Sequence, residues 1–161
     1  MIAMILAAFT GFHVVLSLLG IGSGLVVVYG LLGSKLFEGW TVVFLAATVA
    51  TSVTGFLFPF HEFLTSHGVG ILSLIVLAIA LAARFRYRLA GGWRRTFVVT
   101  SVIALYFNAF VLIAQLFLKV PSLHALAPTQ SETPFQVAQL IVLVVFAVLG
   151  IRCAAKFRAA A

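Results

Sequence analysis

Chemistry in this chain falls to few side chains: four histidines (His13, His61, His67, His124), three glutamates (Glu38, Glu62, Glu132) and one cysteine, Cys153. His61, Glu62 and His67 share one stretch, FLFPFHEFLTSHGVG, residues 56–70. Histidine is a common metal ligand, and haem iron takes axial histidines presented from helices. His13 and His67 read as helix-borne and at similar depth, so they form the expected axial pair for a b-type haem. Phe9, Phe12, Phe56, Phe58, Phe60 and Phe63 are placed to wall a porphyrin, and each reads equally well as ordinary core or lipid-facing surface. The alternative is a transition-metal site made of His61, His67, His124 and Glu62, with Glu132 behind it.

No spacing here is diagnostic. His-Glu-Phe-Leu-Thr-Ser-His is not the zinc-protease HExxH, and six residues of helix would turn the two imidazoles about 240° apart. The C-x-x-C-H haem-attachment motif is absent. Taken singly, each histidine also reads as an interfacial hydrogen-bonding residue. The chain has no aspartate, no nucleophile elbow and no carboxylate pair placed for acid–base work, so a cofactor-independent enzyme is not expected. Glu62 follows His61 directly, and adjacent residues do not face each other on a helix.

The elements that must position these residues are apolar. Of 161 residues, 64% are hydrophobic and 8% charged, and the mean hydropathy is +1.27. Soluble domains average about 45–50% apolar and about 25% charged, which excludes that class. One domain is the natural count at this length. A net charge of +7 would point to nucleic acid in a soluble protein. Here the basic residues lie between apolar runs and read as topology signals, so no nucleic-acid partner is expected. The single Cys153 allows no internal disulfide and reads as a small buried or interfacial hydrophobe at the cytoplasmic end of the last helix. MIAMILAAFTGF has no basic n-region, so it is not read as a cleaved signal.

A bilayer core of about 30 Å needs about 20 apolar residues of helix. Five runs qualify, near Ile2–Gly33, Trp40–Phe60, His67–Ala83, Thr96–Leu118 and Phe135–Ile151. Open strands are excluded, because backbone polar groups in lipid must pair within a helix or closed barrel. The expected fold is therefore an all-α integral membrane bundle of five transmembrane helices. Lys35, Arg84, Arg86, Arg88, Arg94, Arg95, Arg152, Lys156 and Arg158 fall on one side of it, and only Lys119 falls on the other. Basic residues mark the cytoplasmic side. The N-terminus is then outside and the C-terminus cytoplasmic, and all four histidines face outward. Counting back about 20–24 residues from Lys35 puts His13 at the outer interface.

Several polar residues inside the runs need partners. Gly20-Ile-Gly-Ser-Gly24 is a small-xxx-small pattern that lets helices approach within the bundle. Thr51, Ser52 and Thr54 suggest a hydroxyl face on the second helix. Tyr106, Asn108 and Gln115 lie on the fourth, where the Asn108 amide calls for an interhelical hydrogen bond. Residues 119–133, KVPSLHALAPTQSET, form the long outer connection, with a short interfacial helix expected between Pro121 and Pro128. Thr133 is expected to cap the last helix, with Pro134 at its first position and Gln136 closing a capping box.

At HALAPTQSETPF, together with TSVTGFLFPFHEF, the chain resembles small multi-pass proteins of bacterial inner membranes, a group with no assigned activity. The resemblance runs over most of the length and implies location only. The expected function is thus an inner-membrane protein whose outward histidine cluster binds haem or a transition metal, with electron transfer as its use. A non-catalytic accessory or assembly subunit, and a small-solute or proton carrier, are the competing readings. The expected partners are the lipid bilayer and either another membrane protein or a second copy of the chain.

Overall fold

The computed structural model describes residues 1–58 and 65–158, with the backbone alone at 2, 3, 65 and 66. The described residues form helices and no strand: α1 (Ile2–Leu32), α2 (Glu38–Gly55), α3 (Thr65–Leu81), a π-helical turn (Ala82–Arg86), α4 (Trp93–Lys119), α5 (Pro121–Leu126) and α6 (Thr133–Lys156). Among them α1, α4, α6 and α3 with its π turn are long and apolar enough to cross a membrane. α2 falls outside that group. It begins on Glu38, ends at Gly55 short of the expected Phe60, and carries five hydroxyl residues, Thr41, Thr48, Thr51, Ser52 and Thr54. His61 and Glu62 lie outside the described residues.

The long helices alternate in direction, and side-chain contacts at each end show it. At one end His13 and Phe9 of α1 meet Thr54 in the last turn of α2 and Phe58 just after it, and Phe117 of α4 meets Phe135 of α6. At the other end Glu38 opening α2 pairs with Arg84 closing α3, while Ser34 after α1 meets Arg158 after α6. Helices α1 and α4 pack on each other at the centre. Helices α2 and α3 cover one side of that pair, and α6 covers the other. The outward faces are apolar: α6 alone leaves Leu140, Ile141, Leu143, Val144, Val148 and Ile151 exposed. A continuous apolar surface of this extent suits lipid and not water.

Small residues set how closely α1 can approach its neighbours. A Cβ on Gly20 would lie 3.1 Å from Thr48 Oγ1 of α2 and 3.3 Å from Asn108 Nδ2 of α4. The Asn108 amide donates to Thr48 Oγ1 at 3.3 Å, which is the interhelical partner its position demands. Ser52 and Ser73 bond at 3.1 Å and tie α2 to α3 in the same way. Cys153 is buried in the core, as its sequence setting predicts.

Helix ends follow local chemistry, with one shift from expectation. Helix α1 closes in a Schellman arrangement, Lys35 N–H to Gly30 O and Ser34 N–H to Leu31 O. The left-handed position is Ser34, at φ 55°, and not the adjacent Gly33. At α6 the N-cap is Glu132 and Thr133 is already helical. Gln136 Nε2 reaches back to Ser131 O at 2.7 Å and not to a threonine cap. Glu132 instead organises its own turn, accepting from Thr129 N–H, Thr129 Oγ1–H and Ser131 N–H. Partial desolvation pushes this carboxyl up, but those hydrogen bonds together outweigh it and hold the group below its usual range.

Candidate functional site

The three histidines within the described residues have three different surroundings. His124 is exposed on α5. His67 is buried near the start of α3, with its ring 5.9 Å from that of Phe56. His13 is partly buried on α1, bonded through Nδ1 to Thr54 Oγ1 at 2.8 Å and meeting Phe58 edge-on at 5.1 Å.

The hydrogen bond to Thr54 fixes the tautomer of His13. A threonine hydroxyl has a single hydrogen to give. That hydrogen goes to the backbone, because Thr54 Oγ1 lies 2.7 Å from Ala50 O and 3.2 Å from Thr51 O. Bonding back to the i−4 carbonyl is the common habit of a mid-helix threonine. With that hydrogen on the backbone, the Thr54 oxygen accepts from His13, and this arrangement assigns the ring proton to Nδ1. In the neutral imidazole Nε2 is then the atom with the lone pair.

His13 lines a cleft of about 480 Å³ between α1 and α4. Its polar wall consists of Thr10, His13 and Ser17 from α1, with Gln115 and Lys119 from α4; Val14, Leu18, Val111, Leu112, Leu116 and Phe58 supply the apolar remainder. The volume lies within the roughly 300–1,000 Å³ of small-molecule sites. Among the described residues Lys119 is its one charged group, and no carboxylate lines it. The cleft is therefore lined by one imidazole, the amide of Gln115, the ammonium of Lys119, two hydroxyls and apolar side chains.

This geometry separates the candidate ligand roles. Holding the second ring N–H is what a metal-bound histidine requires, and His13 meets that half of the requirement. The other half is a companion ligand, and neither His67 nor His124 lines the cleft. Among the described residues no three of His, Cys, Asp and Glu form a group able to hold a metal. The described residues thus bring His13 to a cleft without a partner ligand among them.

Helical spacing already carried the signal for this wall. Thr10, His13 and Ser17 fall at i, i+3 and i+7, and Gln115 and Lys119 at i and i+4, each set on one face. Reading those residues one by one misses the face they share. No family model, curated protein or solved structure matches the chain.

Proposed function

We propose that the chain is a five-helix protein of the bacterial inner membrane that binds a small amphiphile at its outer surface and carries or presents it there. Its N-terminus is outside and its C-terminus cytoplasmic. The observation that carries the reading is the 2.8 Å bond of His13 Nδ1 to Thr54 Oγ1 at a mixed polar and apolar cleft. A phenolic hydroxyl or carboxylic acid donates its hydrogen bond to Nε2. If the proton transfers, the ring becomes imidazolium, still held by Thr54, and the ligand head becomes an anion beside Lys119. Gln115 offers its amide to a second oxygen, and Leu18, Val111 and Leu112 take the apolar portion.

The orientation rests on the segregation of charge, because basic residues collect at the end of the bundle opposite His13. A phosphatase reporter that works only outside the membrane is expected to be active when inserted within residues 125–131 and silent when fused after residue 158. Activity at the second position would overturn the orientation.

The binding reading is tested by calorimetric titration of the purified protein in detergent with decyl-benzoquinol, which donates to Nε2, and with decanoate, which binds with uptake of one proton by the imidazole. Losing one charge-assisted or neutral hydrogen bond costs about 1.4 kcal/mol, so His13→Ala is expected to weaken both probes about tenfold. Lys119→Gln is expected to weaken decanoate more than the quinol. Unchanged affinity in His13→Ala would refute the reading. So would a Soret band that vanishes in His13→Ala while neither probe binds, since that result belongs to haem.

A further inference from the structure

The end of the bundle opposite His13 holds a second groove, of about 580 Å³, which the outward cleft does not involve. Among the described residues Lys35, Arg84, Arg88 and Arg158 line it together with a single carboxylate, Glu38. Glu38 is engaged by Arg84. The groove therefore keeps a positive excess with hydrogen-bond donors from three separate connections: the turn after α1, the loop after α3, and the segment after α6.

Its geometry is held against backbone cost. Arg88 and Leu89 are consecutive non-glycine residues in the left-handed region, at φ 49° and 60°. Strain of this kind persists only where surrounding structure over-determines it, and it collects at ligand sites. The over-determination is visible here. Leu89 is buried in the core, and its N–H bonds to Ala83 O across the π turn. Tyr87 stacks on Trp93 with ring centroids 3.8 Å apart and planes 3° from parallel. Anchoring Leu89 inward forces Arg88 onto the groove. On the far wall, Ser34 Oγ donates to Arg158 O at 3.1 Å and accepts from Arg158 N–H at 2.8 Å, which docks the C-terminal segment there.

The depth of the groove is marked independently. Both tryptophans, Trp40 and Trp93, and two of the three tyrosines, Tyr29 and Tyr87, lie on the turns and helix ends around this rim. Tyr29, Trp40 and Tyr87 are exposed there. Trp and Tyr gather at the level of lipid headgroups, and basic pockets between helices on the cytoplasmic side bind acidic headgroups.

We infer that this groove binds the phosphate of an anionic phospholipid, with Arg88 and Lys35 as its direct donors. Glu38 holds Arg84 in place and sets an upper limit on the charge the site accepts. The inference uses the membrane reading and is independent of the His13 cleft.

The test is native mass spectrometry of the delipidated full-length protein with short-chain phosphatidylglycerol, phosphatidylcholine or inorganic phosphate. Phosphatidylglycerol is expected to bind and phosphatidylcholine to bind at least about fivefold more weakly, with each of Lys35→Gln and Arg88→Gln costing about fivefold. Arg95→Gln, an exposed cation at the same end that does not line the groove, is expected to leave phosphatidylglycerol binding unchanged. A second variant guards against a folding artefact. Arg88→Gly removes the cation and the left-handed strain together, so it is expected to raise the melting temperature of the lipid-free protein while weakening phosphatidylglycerol. Equal binding of the two phospholipids would overturn the inference, as would equal loss in Arg95→Gln. Binding of inorganic phosphate without phosphatidylglycerol would also overturn it, because the ligand would then be a soluble phosphate.

Discussion

Replacing Gly24 with leucine is expected to leave almost no folded bundle, while the same change at Gly22, two residues away, is expected to be tolerated. A Cβ built on Gly24 would sit 2.6 Å from Leu105 Cδ1 and 2.9 Å from Phe44 Cδ2, closer than real carbon atoms approach. Neither neighbour has room to retreat, since Leu105 is 0% and Phe44 1% exposed. Gly24→Ala alone should cost about 1–3 kcal/mol from overpacking. The better helix propensity of alanine offsets about 1 kcal/mol of that. Leucine adds three carbons in the same direction and separates α1 from α2 and α4. At Gly22 a Cβ meets nothing within 4 Å, so its side chain would enter open space. Thermal or sodium dodecyl sulfate unfolding, followed by circular dichroism in mild detergent, measures both. Similar melting for Gly22→Leu and Gly24→Leu would mean that α1 does not dock through this face.

Thr54→Val is expected to reproduce the binding loss of His13→Ala without touching the imidazole. Valine keeps the shape of threonine but accepts no hydrogen bond, so the Nδ1–H of His13 loses its partner. An unsatisfied, partly buried donor costs about 1–3 kcal/mol, and the ring escapes part of that by changing tautomer or rotating. Nitrogen-15 NMR of histidine-labelled protein at alkaline pH reports the tautomer directly. The parent protein is expected to show Nδ1 protonated and Nε2 bare, and Thr54→Val a shift toward Nε2–H. Thr54→Ser keeps the acceptor and should retain both the tautomer and probe affinity. A parent spectrum dominated by Nε2–H would remove the acceptor on which the proposed binding at the His13 cleft depends.

Hydropathy and charge carried most of the architecture. The apolar runs became α1, α3, α4 and α6 because twenty or so consecutive apolar residues have few other ways to satisfy their backbone. The short α5 between its two prolines was equally legible, since proline suits a first turn and cannot continue a helix. The end of α6 nearest the long connection was read one residue late. Either Glu132 or Thr133 can begin a helix by residue type. The three donors around the Glu132 carboxylate decide between them, and they exist only once the 129–132 turn has closed.

The sequence by itself determined that this is an apolar helical chain with its basic residues gathered toward one end. Those properties depend on composition and order along the chain, and a local reading captures both. Only the tertiary structure decided that His13 leans on Thr54, forty-one positions away, or that Lys35, Arg88 and Arg158 share one groove. Those contacts depend on which helix faces which, and at what rotation. That is fixed by the fit of Gly20 and Gly24 against α2 and α4, a matter of fractions of an ångström that no spacing rule records.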